Sequence, residues 1–317
     1  MTTFWSIWVI VLTLACLALC FGLLVWNLKN YTGVEEGESC GHEFDGIEEI
    51  NNPLPRWWTI MFFATFAWAA VYLILYPGMG NFEGISKWTS SNQGVKSIAE
   101  SKQAVVDNEA AGKRVQLDQE IRNADERFGP VFQQFAKQDV KDLARNEEAL
   151  EIGQRLFSQN CAQCHGSDAR GGQGFPNLTD NDWLYGGSPD AIKASLIHGR
   201  VAAMPAWQDA LGDQGIKEMT AYVLSLSGRT VNQKDAAAGQ AKFAMCAACH
   251  GMDGKGNYAF GAPNLTDNIW LYGGSQRAVE ETLRNGRAGV MPAWKDILGE
   301  DKVHILTAYV YSLSKDK

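Results

Sequence analysis

Two pentapeptides hold the residues of this 317-residue chain best suited to chemistry. Cys161-Ala-Gln-Cys164-His165 recurs 85 residues later as Cys246-Ala-Ala-Cys249-His250. Two thiols one helical turn apart, followed at once by an imidazole, make the attachment signature of a c-type haem. Each thiol can bond one vinyl group of a porphyrin, and the next residue then points its ring at the iron. Cys161 and Cys164 are expected to carry one haem with His165 on its iron; Cys246, Cys249 and His250 do the same for a second. Met204 follows His165 by 39 residues and Met291 follows His250 by 41, each opening the segment Met-Pro-Ala-Trp. A thioether on the face opposite the imidazole favours the reduced iron and raises its potential. The expectation is two covalently bound haems c, low-spin and suited to passing electrons.

Cys-x-x-Cys also occurs in zinc sites and redox dithiols. A zinc site needs a second Cys or His pair at short spacing, which neither copy has. A redox dithiol expects a strand leading into a helix. Here Gly153-Gln-Arg-Leu-Phe157 and Gly239-Gln-Ala-Lys-Phe243 read as helix entering the motif. His198, six residues before Met204, competes for the sixth position. Asn285 replaces it in the second copy, so the repeated methionine is preferred.

The elements that must position these groups come twice. Phe175-Pro176-Asn177-Leu178-Thr179-Asp180 matches Ala262-Pro263-Asn264-Leu265-Thr266-Asp267, and Trp183-Leu-Tyr185-Gly-Gly-Ser188 matches Trp270-Leu-Tyr272-Gly-Gly-Ser275. Further on, Thr220-Ala-Tyr222-Val matches Thr307-Ala-Tyr309-Val. The repeats are expected at residues 150–230 and 231–317. Each is small for a core of its own, so a buried haem would serve as core and staple together. Haem propionates are anionic and need donors. Arg200, Arg287, Trp183, Trp270, Tyr185 and Tyr272 suit that task, with packing or surface exposure as the plain alternative.

This pattern resembles the small class I cytochrome c fold, in which an N-terminal helix crosses a C-terminal helix beside the haem. The resemblance makes the turns at Gly153/Phe157 and Gly239/Phe243 one partner and the apolar helices around 219–226 and 305–313 the other, with Tyr222 and Tyr309 at the crossing. It also implies that the carbonyls of Pro176 and Pro263 accept the Nδ1–H of the haem histidines, a bond that fixes the tautomer. A turn-forming role is the alternative for either proline.

The N-terminal third differs in composition. Residues 4–28 hold no charge, and 25 residues make a helix of about 37 Å, enough to span hydrocarbon. Residues 57–76 form a second uncharged run, opened by Trp57-Trp58 and closed by Tyr76. The first run lacks a basic flank and a small-residue cleavage site, so it reads as an anchor, not a signal peptide. Cys16 and Cys20 within it read as buried thiols.

In the loop 29–56 the basic residues, Lys29 and Arg56, stand at the membrane ends, which places the loop in the cytoplasm and both termini outside. The loop also holds Glu35, Glu36, Glu38, Glu43, Asp45, Glu48 and Glu49, most of the net charge of −8. Residues 150–317 are nearly balanced, so overall acidity says little about a partner of the haem repeats. No nucleic-acid partner is expected. Cys40 and His42 make at most half a metal site and read as structural. Residues 80–149 suggest a helical spacer with patches at 98–128 and 139–150, broken at Gly129-Pro130.

The expected fold class is mainly α: two N-terminal transmembrane helices within residues 1–79, the spacer, and two tandem class I cytochrome c domains. Together with the segment Asp45-Gly-Ile-Glu-Glu-Ile-Asn-Asn-Pro-Leu-Pro-Arg-Trp-Trp58, this organisation resembles the dihaem subunit of bacterial cbb3-type cytochrome c oxidase along the whole chain. That family often has one span, which makes the first helix a longer variant. The resemblance implies an inner-membrane protein with both haem domains in the periplasm. Such a subunit takes electrons from a soluble or membrane cytochrome c and passes them to a monohaem subunit and a catalytic haem–copper subunit. It also implies crossed ligation, with Met204 on the haem of Cys246/Cys249 and Met291 on that of Cys161/Cys164, where local pairing is the default for an isolated cytochrome. No copper ligands or open haem are evident, so oxygen reduction is not expected in this chain. A dihaem subunit of a periplasmic dehydrogenase and a dihaem peroxidase are the alternatives, the latter requiring a displaceable ligand.

Overall fold

The computed structural model describes residues 1–29, 32–89 and 95–314. The expectations for the loop 29–56 at residues 30–31, for the spacer at 90–94, and for the C-terminal residues 315–317 lie outside the described residues. Two compact units are present, Met1–Glu126 and Arg127–Lys317.

In the first unit, α1 (Thr3–Asn27) and α2 (Arg56–Leu75) are long and apolar enough to cross a membrane. α1 buries only Ser6 and Leu24 among its own residues, and α2 buries none. Helices apolar all round and uncovered by protein need lipid. Phe21 packs against Phe63 and Phe66 with ring centroids 5.6 and 5.4 Å away. Ser6 Oγ accepts from the Asn81 backbone N–H at 2.9 Å, so the chain leaving α2 returns to the start of α1. Cys16 and Cys20 are exposed on α1, not buried as expected, because a two-helix hairpin cannot enclose them.

Part of the acidic loop forms an antiparallel hairpin, β1 (Ser39–Phe44) with β2 (Ile47–Ile50). Asp45 and Gly46 turn it with φ of 50° and 82°, the positive values that a tight two-residue hairpin needs. His42 meets Glu49 at 3.4 Å, and no metal-holding cluster occurs among the described residues.

The expected helix 98–128 is interrupted. α3 (Ile98–Ala110) ends at Gly112, whose φ of 64° caps it, and Arg114–Val115 (β4) pairs in parallel with Trp88–Thr89 (β3). The break expected at Gly129-Pro130 is absent, because α4 (Gln116–Ala136) runs through Pro130. An interior proline costs about 3 kcal/mol. The apolar contacts of Phe132 and Phe135 beyond it offset that cost. The second unit starts at Arg127, so the end of the expected spacer packs with the haem repeats: Phe135, Val140, Leu143 and Ala149 bury themselves against Ile305 and Ala308.

The second unit contains α5 (Val140–Leu143), α6 (Glu147–Asn160), α7 (Ala162–His165), α8 (Pro189–His198), β5 (Arg200–Met204) and α9 (Gln208–Leu226). The second repeat follows with α10 (Gln233–Lys242), a short 3-10 turn (Phe243–Met245), α11 (Ala247–His250), α12 (Gln276–Asn285), β6 (Arg287–Met291), α13 (Lys295–Leu298) and α14 (Glu300–Leu313). The repeats are tandem in sequence but exchange elements in space. α9 packs on α10 and α12 of the second repeat, while α14 packs on α6 and α8 of the first. The connector 227–232 joins α9 directly to α10, and so short a link makes consecutive helices antiparallel neighbours. α14 is then left to cover α6.

Both helix crossings use a glycine. A Cβ on Gly153 would stand 2.5 Å from Tyr309 Cβ, and one on Gly239 would stand 2.2 Å from the Glu218 carbonyl oxygen. Tyr309 lies against Phe157 (5.5 Å between centroids) and Tyr222 against Phe243 (5.1 Å). β5 and β6 form one antiparallel ribbon, with Arg200 opposite Met291 and Met204 opposite Arg287.

Candidate haem sites

Each Cys-x-x-Cys-His segment is a single helical turn at the end of the helix that enters it. Cys161 caps α6, and the backbone N–H groups of Cys164 and His165 both donate to its carbonyl, at 3.1 and 2.9 Å. The second copy repeats this, with Cys249 and His250 donating to the Cys246 carbonyl at 3.2 and 3.0 Å. In both, the first cysteine is buried and the second exposed. Burial pushes the Cys161 thiol up to about 11, with Cys164 nearby adding to the shift, and Cys246 is raised for the same reasons. A redox dithiol needs the opposite shift, because the thiolate is its nucleophile.

The histidines are held from behind. His165 Nδ1–H donates to the Pro176 carbonyl at 3.0 Å, and His250 Nδ1–H to the Pro263 carbonyl at 3.1 Å. This tautomer leaves Nε2 as a lone pair for a metal. Burial holds His250 below its ordinary value, outweighing the opposing bond to Pro263, and so favours the neutral ring that coordinates. Each proline follows a small hairpin, closed by the bridge Gly172–Phe175 in one repeat and Asn257–Ala262 in the other. After each, the side-chain oxygen of Asn177 or Asn264 accepts from the N–H and hydroxyl of the threonine two residues on.

The methionine segments lie with the opposite repeat. Met291 and Trp294 pack against the core that contains Cys161, Phe157 and Leu196. Met204 and Trp207 pack against the core of Cys246, Phe243 and Leu283. The Trp294 N–H donates to the Leu196 carbonyl and the Trp207 N–H to the Leu283 carbonyl, both at 2.8 Å. Gly199 and Gly286 permit the approach: a Cβ on either would stand 2.4 Å from the carbonyl oxygen of Met291 or Met204. His198 is exposed at the end of α8.

Arg200 and Arg287 are half-buried and braced alike. Arg200 Nε donates to Ser195 Oγ at 2.8 Å and its Cζ lies 4.4 Å from the Tyr185 ring centroid. Arg287 Nε donates to Thr282 Oγ1 at 3.0 Å, with Cζ 4.6 Å from the centre of Tyr272. Ser195 and Thr282 escaped the sequence reading, although both lie five residues before the arginine they hold. Trp183 packs on the first core and Trp270 on the second. Among the described residues, Trp270 Nε1 is a buried donor without a hydrogen-bond partner. A buried donor of this kind calls for an acceptor that the described residues do not provide. A free imidazole nitrogen, two thiols one turn apart, an orphaned indole N–H and a thioether beside each core together fit a covalently attached haem.

Residues 36–83 match the family described as the N-terminal domain of cytochrome oxidase-cbb3, FixP. Residues 148–223 and 234–310 each match the family described as cytochrome c oxidase, cbb3-type, subunit III. The cbb3-type cytochrome c oxidase subunit CcoP of Rubrivivax gelatinosus is 42% identical over 98% of this chain and 95% of its own length. The subunit FixP of Rhizobium meliloti is 40% identical over 90% and 97%, and CcoP of Cereibacter sphaeroides 37% identical over 88% and 95%. With likeness of this extent along both the anchor and the doubled haem segments, the chain belongs to the family of CcoP and FixP subunits of cbb3-type cytochrome c oxidases.

Proposed function

We propose that this protein is a membrane-anchored dihaem cytochrome c, relaying electrons from a cytochrome c donor to the monohaem and catalytic haem–copper subunits of a cbb3-type terminal oxidase. The doubled arrangement of Cys-x-x-Cys-His, proline carbonyl and packed Met-Pro-Ala-Trp segment carries the reading. Cys161 and Cys164 hold one haem with His165 on the iron, and Cys246, Cys249 and His250 hold the other. When bound, each haem exchanges one electron between its ferric and ferrous forms.

The polypeptide supplies orientation and environment. Pro176 and Pro263 keep a proton on Nδ1 of each histidine, so that Nε2 is always the ligand. The packing of Met291 beside Cys161 and of Met204 beside Cys246 supports crossed ligation. Arg200, Arg287 and the Trp270 indole offer hydrogen-bond donors to the propionates. Lys29 and Arg56 at the ends of the inter-span loop favour placing both termini and both haem repeats in the periplasm of an inner-membrane protein.

The reading is tested by purifying the full chain from its membrane. Co-purification of a haem–copper subunit and an alkaline pyridine spectrum with two c-haems per chain are expected. One haem per chain, or a flavin- or quinone-linked dehydrogenase as the partner, would replace it.

A further inference from the structure

The hairpins that carry Pro176 and Pro263 are each gripped by the other repeat. Gly261 is buried in the hairpin before Pro263 at a φ of 64°, and a Cβ there would stand 2.2 Å from Tyr185 Cζ. The Tyr185 ring therefore lies flush on that backbone, two residues from the carbonyl that accepts from His250. Arg200 covers the ring at 4.4 Å from its centroid, and Ser195 holds the arginine. The other hairpin is held in a related way. Gly174, two residues before Pro176, has a φ of 86°, its Cβ position lies 3.3 Å from Tyr272 Cε1, and its N–H donates to the Leu271 carbonyl at 2.8 Å. Arg287 stacks on Tyr272 from above.

These contacts form two chains through the molecule. One runs from Ser195 through Arg200 and Tyr185 of the first repeat to Gly261, Pro263 and His250 of the second. The other runs from Thr282 through Arg287 and Tyr272 to Gly174, Pro176 and His165. We infer that Tyr185 and Tyr272 are positioning residues, each setting the proximal hydrogen bond, and through it the reduction potential, of the haem attached to the opposite repeat. The inference rests on the reading that both Cys-x-x-Cys-His segments carry haem. Its physical basis is direct: an imidazole that donates a firmer Nδ1 hydrogen bond is a more basic ligand, and ligand basicity is a lever on potential. The large side chains of that hairpin, Tyr258 and Phe260, are exposed and do not hold its backbone from within, so the ring on Gly261 supplies the restraint.

Redox titration of the full dihaem chain, followed by electron paramagnetic resonance, tests this. The His250 signal is identified in a Cys161→Ala/Cys164→Ala variant, which retains that haem alone. Tyr185→Ala is expected to change the oxidised-to-reduced ratio of the His250 haem about threefold at fixed potential, roughly 28 mV at 59 mV per decade. Tyr185→Phe keeps the ring and is expected to match the native chain. Gly261→Ala drives a methyl into the same contact and is expected to shift the same haem, which covers the case in which Tyr185→Ala does not fold. An unmoved His250 potential in Tyr185→Ala and Gly261→Ala, or a shift confined to the His165 haem, overturns the inference. Equal effects of Tyr185→Phe and Tyr185→Ala also overturn it, since they assign the effect to the hydroxyl. A pyridine spectrum with fewer than two haems in the native chain defeats the underlying reading instead.

Discussion

Arg200 of the first repeat stands directly across a two-stranded ribbon from Met291 of the second. Residues directly opposite in an antiparallel pair share one face of the sheet. The ribbon therefore sends the methionine of one repeat and the arginine of the other to the same side. Met291 packs on the core of Cys161, and the mirror pair Met204–Arg287 belongs with the core of Cys246.

Crossed ligation follows as an expected outcome. In a chain that keeps only the Cys161/Cys164 haem, through Cys246→Ala and Cys249→Ala, replacing Met291 with Ala should open the iron to carbon monoxide. Met204→Ala in the same background should not. The reverse pattern in the visible spectrum would establish local pairing.

The helix crossings leave no room for a side chain. Gly239→Ala places a methyl 2.2 Å from the Glu218 carbonyl, against backbone that cannot swing away. A loss of about 1–3 kcal/mol is expected, the range for overpacking a tight contact. Gly172→Ala, where nothing lies within 4 Å, is the control and should be nearly neutral. Denaturant midpoints of the two holoproteins check this, and equal midpoints would refute it.

Asp182 gives the second unit a pH dependence. Burial raises its carboxyl from 3.8 to about 6, and Asp267 and Asp180 add repulsion. The folded state resists the ionised form, so the stabilising contribution is complete below the ordinary carboxylate value and is lost as pH rises through about 6. Asp182→Asn should flatten the stability–pH curve over that window. The effect is about 1 kcal/mol after allowance for solvent screening of a half-exposed group. Parallel curves for the native and variant chains would remove Asp182 as the source.

Orientation has its own test. Protease added to spheroplasts should release a haem-staining fragment that begins beyond Tyr76, while the hairpin at Asp45-Gly46 stays intact. Cleavage at that hairpin with the haem fragment protected would place the acidic loop outside.

The Cys-x-x-Cys-His turns were legible in the sequence because their geometry is local. Two cysteines and a histidine within five residues share one helical turn wherever that turn is placed, and a run of 25 uncharged, apolar residues is long enough to cross hydrocarbon. The repeat also exposed Pro176, Pro263, Met204 and Met291 as matched positions. The sequence could not say which half of the molecule each methionine joins, since two near-copies offer the same local chemistry. That was decided in three dimensions: the connector 227–232 is too short to let α9 leave α10, so α14 must turn to α6, and the β5–β6 ribbon carries the methionines across with them. The course of α4 was decided in the same way. Gly129-Pro130 is a break by local propensity, and it is overridden because Phe132 and Phe135 beyond it gain more from packing than the proline costs.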